Sequence, residues 1–238
     1  MKEKIQTIIV KKKMLLIVFI IASIMFAIPS LRYMLQNGTV LHFNEYFKFC
    51  LNDDDRVEQA IFYIAILALL TIVYVFIIKN REKLFKNIKE ICIYIAIISL
   101  IFVMVLPFLS SDIFYYLGVG RLDSKYGQNP YYVTIKDFVE NEDNMQYLEQ
   151  DTVLAKGYEN DWGNTTVVYG PVWTLICKII SGITFGNIDV ALFVFKLFNM
   201  LIHVLNCYVI YKLTGKKIFV LLYGLNPYMF IEGIANVH

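Results

Sequence analysis

The chain is predicted to be an all-α, polytopic integral membrane protein, on three observations. Apolar residues fill 58% of its 238 positions and charged residues 18%, against roughly 45–50% and about 25% in soluble domains. The mean hydropathy is +0.57. The apolar residues are also clustered, in runs such as MLLIVFIIASIMFAIPSL and YIAILALLTIVYVFII. Together these exclude a soluble globular protein and a disordered one. The balance of 22 Lys+Arg against 20 Asp+Glu leaves a net charge of +2, so no polybasic surface for nucleic acid is implied.

A helix rises about 1.5 Å per residue, so roughly 20 apolar residues cross a ~30 Å hydrocarbon core. Residues 14–35 qualify as a first span, 60–78 as a second and 91–109 as a third. The first run follows Lys11, Lys12 and Lys13 and is too long for a signal-peptide core, so it reads as an uncleaved helix. Residues 1–13 carry five Lys and 79–90 carry five Lys/Arg, whereas 36–59 has Lys48 and Arg56 against five acids, including Asp53, Asp54 and Asp55. Positive residues mark cytoplasmic loops. The N-terminus and 79–90 are therefore expected inside a plasma membrane, with 36–59 outside and the third span leaving near Leu109.

The polar stretch 110–168, with ten acidic and four basic residues, is then an external loop. Residues 171–185 are short and interrupted by Lys178. Their apolar positions Val172, Leu175, Ile176, Ile179 and Ile183 repeat at helical spacing, with Thr174, Lys178 and Ser181 on another face. That pattern predicts a helix lying in the membrane interface, with Trp173 at headgroup level. Residues 190–213 are long enough to span; Lys212, Lys216 and Lys217 follow inside, and 218–230 return outward to a break or bend at Asn226-Pro227. The expected architecture is one transmembrane domain over 1–238, with about five spans and two external interfacial helices. The four cysteines, Cys50, Cys92, Cys177 and Cys207, are scattered without a paired motif and read as small apolar residues.

Four constellations could carry chemistry. Asp112 stands where the third span meets water, and if 111–126 is helical, Asp112, Tyr116, Val119 and Asp123 lie along one side. A carboxylate there can take a proton from a sugar hydroxyl, and Arg121 can hold a phosphate bidentately. Equally, Asp112 can simply cap the next helix. Val168-Tyr169-Gly170-Pro171-Val172-Trp173 reads as an ordinary helix start with proline at its first position. Asn226-Pro227 is followed by Glu232, Asn236 and His238, with no spacing suited to a metal. Lys196, Asn199, His203 and Asn206 form a polar stripe on one face of a span, for interhelical hydrogen bonds or for substrate. Lys196 lies seven residues below Asp189, or ~10 Å, where its ammonium either snorkels to headgroups or meets a donor phosphate.

In this order the motifs resemble a family. Asp112, the Tyr115-Tyr116 pair, Gly120-Arg121 and Gly127-Gln128-Asn129-Pro130-Tyr131 are similar to the first external loop of GT-C glycosyltransferases. Tyr169-Gly170-Pro171 and Asn226-Pro227 with Glu232, Asn236 and His238 fit the same pattern. Within that superfamily the sequence most resembles bacterial polyprenol-phosphate-mannose-dependent α-1,6-mannosyltransferases, over about residues 100–238. The resemblance implies a membrane enzyme, of which this chain is the N-terminal part. It would move a hexose, mannose by this likeness, from a polyprenyl-phosphate donor to a glycan or glycolipid acceptor on the outer face, with inversion. It further implies Asp112 as general base and loop 110–168 as the catalytic loop. Tyr116, Arg121, Asn129, Pro130, Tyr131, Tyr169, Lys196, Glu232, Asn236 and His238 would then bind substrate. No cofactor is expected, since the lipid phosphate is already a good leaving group. The non-enzymatic alternative is a subunit of a lipid-glycan flippase or polymerase, with the polar stripe as its path.

Overall fold

The computed structural model describes residues 2–39, 56–141 and 144–238; most of the expected external loop 36–59, with Asp53, Asp54, Asp55 and Cys50, lies outside them. Every regular element among them is helical. In chain order the main helices are α1 (Lys2–Asn37), α2 (Arg56–Lys79), α3 (Ile88–Val103), α4 (Asp112–Tyr126) and α5 (Ile135–Val139). They continue with α6 (Thr152–Glu159), α7 (Pro171–Ile183), α8 (Ile188–Thr214), α9 (Lys217–Gly224) and α10 (Pro227–Phe230). The described residues form two compact units: 2–38, 56–106 and 197–235 make the first, and 39, 107–196 and 236–238 the second.

In the first unit α1 shows a buried stripe of Phe19, Ala22, Ser23, Phe26, Ala27, Ser30 and Tyr33, while Ile17, Ile21, Ile24 and Ile28 are exposed. The period is helical, and the small residues on the inward stripe let neighbouring backbones approach, as apolar helices in lipid require. Phe26 packs on Tyr63 of α2 and Phe102 of α3, with ring centroids 5.0 and 5.5 Å apart. Tyr94 donates its hydroxyl to the Leu16 carbonyl at 2.7 Å. Among the described residues three helices are long and apolar enough to cross a membrane: Lys13–Asn37, Ala60–Lys79 and Ile188–Thr214. The pair Lys217–Gly224 and Pro227–Asn236, bent by 52°, makes a fourth if it is one span. The bend falls at the expected Asn226-Pro227, where Asn226 Oδ1 accepts the Tyr228 amide at 3.1 Å and Pro227 opens α10.

The count of five spans is not reached among the described residues, because 91–109 is not one continuous helix. α3 holds 16 residues and stops at Val103, about 24 Å of helix by its rise. Pro107 turns the preceding residue away from helical geometry, and the Met104 and Val105 amides close a tight turn onto Ile101 and Phe102. The Leu106 amide is instead taken by Ser30 Oγ at 3.0 Å.

Three members of the polar stripe on α8, Asn199, His203 and Asn206, lie in the same unit. Asn199 Nδ2 donates to the Gly233 carbonyl at 3.2 Å, His203 Nε2 to the Gly224 carbonyl at 3.1 Å, and Asn206 Nδ2 to the Tyr223 hydroxyl at 3.1 Å. These side chains tie α8 to α9 and the turn after α10, which is the interhelical reading of the stripe.

The second unit is built around α4, buried from Ile113 to Leu122. Its glycines set the spacing. A Cβ on Gly118 would lie 2.7 Å from the Gly157 Cα of α6, and one on Gly120 would run into the Cys177 carbonyl of α7. Because both obstacles are backbone, neither can rotate away. Gly120→Ala is therefore expected to destabilise this unit by about 1–3 kcal/mol as overpacking, read as a lower melting temperature in detergent; an unchanged melt would show that α7 can slide. α7 itself turns Thr174, Cys177 and Ser181 inward and leaves Val172, Leu175, Ile179 and Ile183 exposed. A helix of 13 residues is ~20 Å long and too short for a ~30 Å core. Its outward apolar row is the arrangement of a helix in contact with lipid.

Candidate functional site

The helix expected from 111 to 126 begins at Asp112, after Ser111 in the capping position without a side-chain cap bond. Asp112 thus opens α4 and does not cap it. Its backbone amide donates to Ser110 Oγ at 3.1 Å, while the carboxylate, at the positive end of the helix, faces a pocket. The pocket has a volume of about 180 Å³ and is lined by Asp112, Tyr115, Trp162, Thr165, Val168 and Tyr169. Asp112 and Tyr115 come from α4; the other four come from the loop between α6 and α7.

That loop is pinned at several points, each by a polar group whose partner is fixed. Asn160 Nδ2 donates to the Ser111 carbonyl at 2.9 Å, and Asn160 Oδ1 accepts the Trp162 amide at 3.0 Å. The Tyr115 hydroxyl donates to the Thr165 carbonyl at 3.1 Å. The Val167 amide donates to the Pro130 carbonyl at 3.0 Å. Tyr131 gives its hydroxyl to the Tyr169 carbonyl at 3.0 Å, and the Tyr116 and Tyr169 hydroxyls meet at 3.1 Å. Trp173 backs this cluster, its ring edge-on to Tyr116 at 5.4 Å. Burial pushes the Tyr115 hydroxyl up to about 12, with Tyr169 and Cys177 adding to it. Burial, then the hydrogen bond to Tyr169, also raises Tyr116. Both stay neutral hydroxyls at ordinary pH.

The structure brings several of the expected site residues together. Asp112 and Tyr169 line the pocket, and Tyr116 and Tyr131 stand behind Tyr169. Asn129 and Pro130 hold the wall from further back: Asn129 Oδ1 accepts the Tyr131 amide at 3.0 Å, which aims Tyr131 at Tyr169. His238 Nε2 lies 3.4 Å from Asp112 Oδ2, and the two side chains are 55% and 19% exposed. Asn236 Oδ1 accepts the Phe108 and Leu109 amides at 2.9 and 3.1 Å, so it fixes the segment leading into Asp112.

Other expected residues are not among those lining the pocket. Arg121 Nε pairs with Asp151 Oδ2 at 2.6 Å, both side chains buried, and its Nη1 donates to the Ser181 carbonyl at 3.3 Å. The Arg121 side chain is thus buried against Asp151 and Ser181 inside the unit and does not line the pocket. Lys196 is 2% exposed on α8 and does not line the pocket, which is not a lysine snorkelling to headgroups. Glu232 lies in the π-turn after α10, within the first unit.

Of the residues lining the pocket, Trp162 belongs to none of the motifs read from the sequence. The available signal was the sequence Asn160-Asp161-Trp162-Gly163-Asn164, a tryptophan set among turn-forming residues in an acidic loop. Among the described residues no three His, Cys, Asp or Glu side chains gather as a metal site.

A half-buried carboxylate at a helix start, walled by tyrosines and a tryptophan and backed by neutral hydroxyls, is suited to accept a proton from a polyol bound beside it. No curated protein and no solved structure matches the chain. The sequence model of an alpha-(1->6)-mannopyranosyltransferase N-terminal domain matches residues 16–238, and the chain belongs to that family of glycosyltransferases.

Proposed function

We propose that the enzyme moves mannose from a polyprenyl-phosphate donor to the 6-hydroxyl of a glycan or glycolipid acceptor, with Asp112 as the general base. The observation that carries this reading is the Asp112 carboxylate on the wall of a pocket otherwise lined by aromatic side chains, Thr165 and Val168. In a single displacement the acceptor oxygen attacks the anomeric carbon as its proton passes to Asp112. The bond from that carbon to the phosphate oxygen breaks, the phosphate leaves with the electron pair, and the configuration inverts. A sugar phosphate needs little more than an activated hydroxyl and a stabilised departing anion. His238, beside Asp112, can pass the proton on to water.

The charge distribution supports an outer-face site. Lys and Arg gather in 1–13 and 79–90, and acids in 110–168, which by the positive-inside rule leaves the N-terminus cytoplasmic and the pocket outside a plasma membrane. No nucleotide loop of the form GxxxxGK[ST] or GxGxxG occurs, and a lipid-linked donor needs none. The transport reading loses its main feature, because Asn199, His203 and Asn206 are engaged in interhelical hydrogen bonds.

The test is a transfer assay with membranes containing the full-length protein, a mannoside acceptor, and either polyprenyl-phosphate [14C]mannose or a nucleotide-linked mannose. Label is expected to pass from the lipid-linked donor into a product cleaved by an α-1,6-specific mannosidase. Transfer from the nucleotide sugar alone, or a different linkage, would overturn the assignment.

A further inference from the structure

The six residues lining the pocket beside Asp112 include no Lys, Arg or His; the His238 imidazole stands outside this lining, 3.4 Å from Asp112 Oδ2. The lining consists of one carboxylate, three aromatic rings, Thr165 and Val168. Against this lining an anionic phosphate would meet the like charge of Asp112, so the wall suits a neutral ligand. At about 180 Å³ it is smaller than the roughly 300–1,000 Å³ of pockets for drug-sized molecules and suits a single sugar ring.

Trp162 is the wall's least explained member. Its side chain is 54% exposed, in a 3-10 turn, Asp161–Asn164, within an acidic loop. One side chain sets its position relative to the base: Asn160 holds the Trp162 amide and the carbonyl of Ser111, the residue before Asp112. The Thr165 amide closes the turn onto the Trp162 carbonyl at 2.9 Å. An indole carried on a turn whose backbone is fixed at both ends, and itself left open to solvent, is an apolar plate awaiting a cover. One face of a pyranose ring presents only C–H groups, while its hydroxyls project around the edge. A ring laid on Trp162 therefore directs its hydroxyls to the pocket's polar groups.

We propose that this pocket is the acceptor subsite, in which the terminal hexose of the acceptor stacks its C–H face on Trp162 and offers its hydroxyl to Asp112. The proposal rests on Asp112 being the base, since the hydroxyl deprotonated must belong to the sugar in the pocket. The donor phosphate is then bound outside these six residues.

The experiment uses the full-length enzyme with a soluble α-1,6-mannobioside as acceptor probe. Trp162→Ala is expected to raise the acceptor KM roughly tenfold or more, as loss of a buried aromatic contact does, with the donor KM unchanged. Trp162→Phe should restore most of the affinity, because a flat apolar ring remains. Mannobioside binding by saturation-transfer NMR, in an Asp112→Asn background that does not turn over, should be lost on adding Trp162→Ala. An unchanged acceptor KM, a rise in the donor KM instead, or weakened membrane association as the sole effect of Trp162→Ala overturns the subsite. Full turnover in Asp112→Asn combined with a raised acceptor KM in Trp162→Ala supports the stacking and removes only the base assignment.

Discussion

Asp112→Asn is expected to lower sugar transfer by ~10² or more, the usual loss when a general base is removed, while donor binding stays near the wild-type level. Asparagine keeps the size of the carboxylate and an oxygen that accepts hydrogen bonds, but it cannot take a proton. The structure separates this loss from a folding defect. Ser111, not Asp112, holds the capping position of α4, so the structural contributions of Asp112 are its charge at the helix start, about 0.3–1 kcal/mol, and its contact with His238 at 3.4 Å. The melting temperature of the variant should accordingly move by a few degrees at most. Single-turnover transfer from a pre-bound lipid donor is the measurement that isolates the chemical step. Wild-type turnover would leave Asp112 with the helix-dipole role alone.

Asp151→Asn should have the largest effect on stability. Asp151 Oδ2 takes Arg121 Nε at 2.6 Å and the Tyr126 hydroxyl at 3.0 Å, and Oδ1 caps α6 through the Leu154 amide at 3.1 Å. The same charge holds Tyr126 above its ordinary value, after burial itself. Gly186, with φ +82°, passes close by: a Cβ there would sit 2.8 Å from Arg121 Nη2. Asparagine retains the helix cap and deletes only the charge, which leaves the Arg121 guanidinium buried without its counter-ion. Breaking a buried pair from one side costs about 3–5 kcal/mol. Replacing both partners with apolar residues, as in Arg121→Met with Asp151→Leu, should recover part of that loss. Thermal melts of the single and double variants make the comparison, and a single variant as stable as the wild type would show that the pair does not lock α4, α6 and α7.

This pair also shows where motif reasoning met its limit. Gly120-Arg121 is a motif by sequence, and an arginine in an external loop invites a phosphate. Its partner lies 30 residues away on another helix; nothing in the spacing of either residue announces the meeting. The glycine of the same motif has a more local reading once α7 is seen, as the point where the Cys177 backbone comes too near for a side chain.

What the sequence determined by itself is what depends on local repetition and on order along the chain. Runs of apolar residues mark the helices Lys13–Asn37, Ala60–Lys79 and Ile188–Thr214, the spacing of Val172, Leu175, Ile179 and Ile183 shows the outward face of α7, and Asn226-Pro227 bends the last apolar segment because proline lacks an amide proton. The ordered motifs from Asp112 to Asn226-Pro227 point to the family. The tertiary structure alone decided which side chains share a space. It ended α3 at Val103, where Ser30 accepts the Leu106 amide, and it spent the α8 stripe on interhelical hydrogen bonds. It also took Arg121 into a buried pair and brought Trp162 to Asp112 across 50 residues of chain through Asn160. The physical reason is that helical period and turn chemistry are set by neighbours three or four residues away. The partner of a buried polar group is set instead by whichever distant backbone or charge must be satisfied when the helices pack.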